Sequence, residues 1–251
     1  MKLICVSDEH EIGLETARLI ASVVRLKPEA VLGLATGSSP IGAYAELARM
    51  CAEENLDFSD VRTVNLDEYV GLDGSHPQSY RYFMHKYLFD KVNIDPKNTY
   101  VPDGFAEDPD EECDLYDELL ESLGYADLQL LGIGVNGHIG FNEPADFFIP
   151  ETHVVKIAES TIDANQRFFD TRDEVPRYAI TIGIKGILCA ERIVLIASGR
   201  KKAEALKAAC FGPVTPKMPA SILQVHPNVT VIADDEAFSL VPFFGHDEEA
   251  Y

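Results

Sequence analysis

Basic residues are scarce in this 251-residue chain. Lys and Arg together number 21 against 42 Asp and Glu, which gives a formal net charge of −21 at pH 7. Nucleic acids and anionic membranes attract proteins mainly through Lys and Arg, so this composition argues against either partner. A small phosphate ester is compatible with it, because exposed charges more than about 10 Å away are largely screened at 0.1 M salt.

Paired cysteines and long apolar runs are also missing. The five cysteines are widely spaced and form no C-x-x-C, which supports neither a disulfide framework nor a zinc site. No apolar run approaches the length that crosses a membrane, and Asp8, Glu9 and Glu11 stand where a signal peptide would be basic or apolar. We therefore expect a cytoplasmic protein with reduced cysteines and no bound metal.

Short runs rich in β-branched and apolar residues alternate with amphipathic helical patterns. Continuous apolar strands separated by such helices are typical of a mostly parallel sheet that is covered on both faces. The sequence therefore predicts an α/β fold, with a doubly wound, Rossmann-like sheet and helices on both faces in a single domain. Functional residues of such folds lie at the carboxyl ends of the strands. The runs are LICVS, AVLGLAT, VRTVNL, DLQLLGIG, YAITIG, RIVLIAS and VTVIAD.

Residues 132–137, GIGVNG, match the G-x-G-x-x-G pattern of dinucleotide-binding turns. In a nicotinamide dehydrogenase a helix follows the third glycine. Here Gly140 and Pro144 would interrupt that helix, so we interpret the segment as a loop and disfavour a dehydrogenase.

The same loop carries three polar side chains at the end of a predicted strand, Asn136, His138 and Glu143. A histidine transfers protons near pH 7, and a carboxylate can orient it. The alternative is a structural histidine. The glycines around His138 favour the functional interpretation.

Residues 36–40, TGSSP, follow the run AVLGLA and precede a helical pattern. Backbone N–H groups, hydroxyls and a helix N-terminus together make an anion site, for which Thr36, Gly37, Ser38 and Ser39 are the candidates. The segment lacks the lysine of a Walker A loop. The alternative is an ordinary turn in which Ser38 or Ser39 caps the helix.

Residues 65–69, NLDEY, place Asp67 and Glu68 at the end of another predicted strand. Adjacent carboxylates raise each other's pKa, and partial burial adds to this effect, so one of them could act as a base near neutral pH. The alternative is that they cap the following helix.

Two basic residues complete the set of candidates. Arg167 lies in NQRFFD, and Lys202 lies near the start of the helical pattern in SGRKKAEAL. A lysine near a helix N-terminus opposes the helix dipole, and an anionic ligand would explain its position. The alternative for Lys202 is a solvated charge.

Several stretches of the chain are similar to the motifs of the glucosamine-6-phosphate deaminases, also called glucosamine-6-phosphate isomerases. The likeness extends over about residues 1–235, and we assign 1–240 to the α/β domain and 241–251 to a C-terminal tail of unknown role. The stretches are LATGSSP, NLDEYVGL, HPQSYRYFM, GIGVNGHIGFNEP, ANQRFFD and PASILQVHP.

The resemblance implies a cofactor-independent reaction of amino-sugar catabolism, in which glucosamine 6-phosphate and water give fructose 6-phosphate and ammonia. By position, it implies that Asp67 is the base that moves a proton from C2 to C1. It also implies that His138 opens the pyranose ring, supported by Glu143 and Asn136. Some members carry aspartate where Asn136 stands, and an amide can only orient or hydrogen-bond.

The resemblance also assigns a phosphate site to residues 36–39 together with Arg167 and Lys202. Two other functions stay open. A 6-phosphogluconolactonase would share the fold but has no carbon acid to handle. A non-catalytic sugar-phosphate sensor is the other, although no helix-turn-helix or basic segment is attached. The oligomeric state is open as well.

Allosteric members of the family bind N-acetylglucosamine 6-phosphate at a second site. The positions that hold its phosphate correspond here to Asp146, Phe147, His153 and Val155, which provide no permanent cation. We therefore predict a non-allosteric enzyme. A shift of one residue in this comparison would bring Lys156 into the site.

Overall fold

The computed structural model describes residues 1–159, 162–163, 166, 169 and 171–242. The strands in these residues are β1 (Lys2–Val6), β2 (Val31–Leu34), β3 (Arg62–Asn65), β4 (Asp67–Tyr69), β5 (Thr99–Tyr100), β6 (Leu128–Gly132), β7 (His153–Lys156), β8 (Tyr178–Thr181), β9 (Ile193–Ala197) and β10 (Val229–Asp234). The α-helices that we label are α1 (Glu9–Leu26), α2 (Ile41–Glu54), α3 (Tyr80–Tyr87), α4 (Pro109–Leu123), α5 (Ile184–Leu188), α6 (Ala203–Phe211) and α7 (Asp235–Phe238).

Local sequence signals explain where the longer helices begin and end. Asp8 accepts a hydrogen bond from the N–H of Glu11 at the start of α1. Asp108 caps α4 in the same way, and α4 ends at Gly124, whose φ of 76° lies in the left-handed region that glycine tolerates best.

The main sheet has seven strands in the order β1-β10-β9-β6-β2-β3-β5, and every neighbouring pair is parallel. All residues of β2 and β9 are buried, and because successive side chains point to opposite faces, both faces of the sheet are covered. The chain runs from β2 through β3 to β5 and then returns to β6 on the other side of β2. This reversal opens a crevice at the carboxyl ends of β2 and β6.

A second sheet of three antiparallel strands, in the order β4-β8-β7, adjoins the main sheet. The run YAITIG forms β8 in this sheet, whereas the other six runs that we predicted lie in the parallel one. Leu66 joins the two sheets: its N–H donates to Leu34, and its carbonyl accepts from Ile182. Only this one residue separates the end of β3 from the start of β4, the strand that carries Asp67.

The predicted single α/β domain with a mostly parallel sheet is confirmed. The described chain stays in the core as far as Val241, which is 1% exposed. Residues 243–251 lie outside the described residues, so the division into a domain and a tail stays a prediction. No helix in the described part of the chain is both long and apolar enough to cross a membrane.

Candidate active site

The loop of residues 36–39 connects β2 to α2 at the crevice. Gly37 has a φ of 93°, and Gly37 and Ser38 are exposed while Thr36 and Ser39 are half-buried. Within residues 1–159, which are all described, no side chain caps the first turn of α2. Side-chain capping by Ser38 or Ser39, which was the alternative, is therefore absent. The N–H of Ile41 donates to the carbonyl of Ser38 at 3.3 Å, and the N–H groups that follow it in the first turn of α2 can meet an anion.

Two buried side chains hold the strand end from which this loop starts. The hydroxyl of Tyr44 donates to the carbonyl of Ala35 at 2.5 Å. The amide of Asn65 donates to the carbonyl of Leu34 at 3.3 Å. Sequence reasoning missed both residues, because each contact joins side chains and carbonyls of different elements.

Lys202 reaches the same edge of the sheet from β9, two strands away from β2. It ends a single 3₁₀ turn before α6, and its Nζ donates to the carbonyl of Ile133 at 2.6 Å, just beyond β6. Burial lowers the pKa of this lysine, so it is not a freely solvated charge. Asp234 fixes the turn by accepting hydrogen bonds from Ser198 and Gly199.

Asp67 lies in β4 opposite Thr181 of β8 and is 6% exposed. Burial raises the pKa of Asp67 to about 8, and the charge of Glu68 adds to the increase. The loop after β6 passes directly over it, since a Cβ on Gly140 would lie 3.4 Å from Asp67 Oδ2 and 2.9 Å from Thr181 Oγ1. A buried carboxyl group with a raised pKa therefore faces that loop.

Glu68 has a different environment from its neighbour. Its carboxylate accepts hydrogen bonds from the backbone N–H groups of Tyr69, Tyr80 and Arg81 at 2.8–3.0 Å. The last two belong to the first turn of α3, whose N-cap is Ser79. Helix capping, the alternative for the acidic pair, is thus the role of Glu68 and not of Asp67.

The loop after β6 brings Asn136, His138 and Glu143 together. His138 Nδ1 lies 3.0 Å from Glu143 Oε1, and Asn136 Nδ2 donates to Glu143 Oε2 at 2.5 Å. The backbone N–H of His138 donates to Asn136 Oδ1 at 3.2 Å, so each of the three residues is hydrogen-bonded to the other two. A Cβ on Gly134 would lie 2.5 Å from the imidazole, so only glycine leaves room for this ring position.

The glycine pattern at residues 132–137 does not open a dinucleotide site. Between Gly137 and Thr152, all of which are described, the chain forms no helix. Gly137 has a φ of 85°, and a Cβ there would lie 1.9 Å from the sulfur of Met218. The segment is a loop, as we predicted, and Gly137 allows it to pack closely.

The candidate residues converge because the strands that carry them are neighbours in the order β9-β6-β2-β3. Residues 36–39, Asp67, His138 and Lys202 follow the carboxyl ends of these strands. Arg167 lies outside the described residues. In the part of the chain that the structure describes, no group of three or more His, Cys, Asp or Glu side chains could hold a metal ion.

Aromatic residues form one wall beside the loop of residues 36–39. The rings of Tyr69 and Tyr80 lie 4.8 Å apart, and Phe141 stacks on Tyr80 at 6.1 Å. A cavity of about 260 Å³ is lined by Tyr69 and Tyr80 on one side and by Gly37 and Ser38 on the other. The sequence analysis did not identify Tyr80 as part of the site. The cluster of aromatic residues in SYRYFM was the sequence feature that could have indicated an aromatic wall.

A second pocket lies behind Glu143. Among the described residues its lining includes Phe147, His153 and Val155 and contains no lysine or arginine. Lys156 points to the opposite face of β7 from Val155, because side chains alternate along a strand. Asp146 pairs with Lys217 at 2.5 Å.

A family model matches residues 9–232, and its description is glucosamine-6-phosphate isomerases/6-phosphogluconolactonase. The chain belongs to this family. The resemblance that the sequence motifs indicated is thereby confirmed, and the match covers most of the α/β domain.

Two relatives of the chain are glucosamine-6-phosphate deaminases. The one from Clostridium perfringens (strain 13 / Type A) is 52% identical over 241 residues, which cover 96% of this chain and 100% of that protein. The one from Halothermothrix orenii is 53% identical over 241 residues with the same coverage.

Solved structures show the same fold. A monomeric glucosamine-6-phosphate deaminase superposes with a TM-score of 0.94 at 46% identity, covering 96% of this chain and 100% of that one. A 6-phosphogluconolactonase from Trypanosoma cruzi superposes with a TM-score of 0.75 at 17% identity, covering 94% of this chain and 95% of that chain. The second likeness concerns the fold alone.

Proposed function

We propose that the protein converts glucosamine 6-phosphate and water to fructose 6-phosphate and ammonia without a cofactor. Identity of 46–53% to deaminases over nearly the whole chain supports this reaction. The observation that carries the proposal is the position of the buried carboxyl of Asp67 beneath the loop that holds His138. These two groups match the two kinds of proton transfer that the reaction needs. Because the substrate is a phosphate ester made inside cells, a cytoplasmic location fits it.

The substrate phosphate is assigned to residues 36–39 and the N-terminus of α2, with Lys202 opposite. Arg167 completes this set in the proposal, although it lies outside the described residues. Charge-assisted hydrogen bonds to a dianion are stronger than neutral ones. Fixing the phosphate positions the sugar carbons, and positioning of this kind lowers a barrier by about 7–11 kcal/mol.

His138 is assigned to ring opening. The proton of the O1 hydroxyl must leave while the ring oxygen gains one, and an imidazole can carry out both transfers near pH 7. Glu143 holds the ring through Nδ1 and stabilises its protonated form, which leaves Nε2 for the substrate. Asn136 orients Glu143 and does not exchange protons.

Asp67 is assigned to the isomerisation of the open chain. Its carboxylate removes the proton from C2 and returns it to C1, which turns the 2-amino aldehyde into an imine at C2. Water adds to this imine, and ammonia leaves to give the ketone. A carboxylate with a pKa of about 8 is a stronger base for a carbon acid than an exposed one.

Incubation of the protein with glucosamine 6-phosphate, following ammonia and fructose 6-phosphate together, tests the proposal. We expect both products in equal amounts. A parallel incubation with 6-phosphogluconolactone tests the lactonase alternative, in which only the lactone is consumed. Binding of glucosamine 6-phosphate with no product would support the sensor.

A further inference from the structure

Glu68 stands next to the proposed base but is almost fully buried, at 1% exposed. Oε1 accepts from the N–H groups of Tyr69 at 2.9 Å and Tyr80 at 2.8 Å, and Oε2 accepts from Arg81 at 3.0 Å. The backbone at Gly104 packs closely on this group, since a Cβ there would lie 2.9 Å from Glu68 Cγ. The side chain therefore joins β4 to the start of α3.

Burial raises the pKa of Glu68, whereas its hydrogen bonds favour the ionised form. Three N–H donors point at the carboxylate, two of them from a helix N-terminus, and both features stabilise negative charge. They oppose the effect of burial, which raises the pKa of Glu68. The pKa of Asp67 is raised by burial and by the charge of Glu68. Of this coupled pair, the first ionisation therefore belongs mainly to Glu68 and the second to Asp67.

Other groups near Asp67 do not replace this charge. Tyr80 of α3 and Tyr116 of α4 are both buried, and burial raises the pKa of each phenol, so both stay neutral. Tyr69 is another phenol near Asp67. Thr181 of β8 and the backbone at Gly140 also lie near Asp67 and are uncharged. Arg81 is the cation on the first turn of α3 and donates to the carbonyl of Val101 at 2.8 Å. His138 lies in the loop above.

We propose that Glu68 is a positioning residue of this reaction, which fastens the strand of Asp67 to α3 and whose fixed negative charge makes Asp67 a stronger base. The inference rests on the proposed function, because it assigns Glu68 to the isomerisation step. The two adjacent carboxyl groups then have different roles: Asp67 reacts with the substrate, and Glu68 increases the basicity of Asp67. Glu68 itself has no contact with the substrate in this assignment.

The variant Glu68→Gln keeps the size of the side chain and removes its charge. Asp67 then ionises at lower pH, so the acidic limb of the kcat/KM profile moves down by about 1 pH unit. The plateau value falls by about 3- to 10-fold, because the base is weaker. Exchange of the C2 hydrogen with solvent slows by the same factor.

Asp127→Asn is the matched control. Asp127 also holds a strand by its carboxylate, which accepts from the N–H of Val31 at 2.8 Å and from Lys27 at 2.7 Å. It lies at the amino end of the main sheet, opposite to the site. We expect this variant to unfold at a lower temperature while its acidic limb coincides with that of the unmodified protein.

The test measures kcat/KM for glucosamine 6-phosphate across the pH range in which each protein is folded. A limb in Glu68→Gln that coincides with that of the unmodified protein would overturn the proposal, even if activity is lower. If this variant does not fold, Glu68→Asp is used. It keeps the charge, so we expect an unshifted limb with a lower kcat, and a limb shifted to lower pH would contradict the proposal. No ammonia from the unmodified protein would instead reject the proposed function.

Discussion

Nδ1 of His138 lies 3.0 Å from Oε1 of Glu143, and this contact determines which nitrogen of the ring faces a substrate. A carboxylate beside Nδ1 favours the tautomer with its proton there, which leaves the lone pair on Nε2. Asn136 binds the other oxygen of Glu143, so the carboxylate cannot rotate without breaking two contacts. In the proposed mechanism, ring opening and isomerisation depend on different residues, so we expect mutations to separate them.

Replacing His138 with glutamine should slow ring opening selectively. We expect kcat for the cyclic substrate to fall by about 10²- to 10⁴-fold, because a general acid and base is lost. Binding of an aminodeoxyhexitol phosphate, which has no ring, should change little. Isothermal titration with this linear analogue and steady-state kinetics together check the prediction. An equal loss for both ligands would make His138 a structural residue.

Replacing Asp67 with asparagine should abolish the isomerisation and leave binding in place. A neutral amide cannot accept the C2 proton, and it fits the volume of the carboxyl group. The measurement is the exchange of the C2 hydrogen with deuterium from solvent, followed by NMR. Exchange at the rate of the unmodified protein would contradict the role of Asp67 as the base.

The same variant should change how stability depends on pH. The pKa of Asp67 is about 8 in the folded chain against an ordinary value of 3.8, so folding favours its protonated form. Its contribution to stability is complete below the ordinary value and is lost as the pH rises towards 8. We expect the free energy of unfolding, measured with urea, to fall over this range relative to Asp67→Asn. Parallel curves for the two proteins would show that the folded chain does not raise this pKa.

Removing the ammonium group of Lys202 should weaken binding of the phosphate. For Lys202→Ala we expect KM for glucosamine 6-phosphate to rise by about 10- to 100-fold, and the difference should shrink as salt is added. Arg167→Ala should behave similarly. Lys201→Ala removes an exposed charge from the adjacent position and serves as the control. A similar KM change in that control would mean that only general electrostatics is involved.

N-acetylglucosamine 6-phosphate should not activate the enzyme. The pocket behind Glu143 presents a carboxylate and, among the described residues, no lysine or arginine to a dianion. A ligand that binds neither conformation cannot shift an equilibrium between them. We expect hyperbolic kinetics with and without this compound. A sigmoidal curve that becomes hyperbolic on its addition would disprove the prediction.

The sequence predicts the main sheet well because each of its long strands is a continuous apolar run. It predicts the second sheet poorly, since β4 (DEY) and β7 (HVVK) are not continuous apolar runs and each forms its strand by pairing with β8. The difference between Asp67 and Glu68 is also not readable from NLDEY. It depends on N–H groups of α3, twelve and thirteen residues further on.

Residues that support the site through tertiary contacts are still harder to predict from the sequence. The hydroxyl of Tyr116 donates to the backbone carbonyl of Asn65, which is 51 positions away in the sequence. Tyr44 cannot be distinguished by sequence from other buried aromatic residues, because only the fold brings its hydroxyl to the carbonyl of Ala35. By contrast, Asn136, His138 and Glu143 lie within eight consecutive positions. These three residues were predictable because they lie close together in the sequence and because glycines surround them at the end of a strand.

If the proposed assignments hold, Leu66, the residue between β3 and β4, sets the distance between the phosphate site and the base. One end of the substrate is assigned to β2 in the parallel sheet and the reacting carbon to β4 in the antiparallel one. The backbone bonds of Leu66 to Leu34 and Ile182 fix the separation of these points. A sugar phosphate one carbon shorter would therefore bring the wrong carbon to Asp67, whatever its hydroxyl groups contact. We therefore expect the protein to discriminate among sugar phosphates by chain length, because the junction of the two sheets sets this distance.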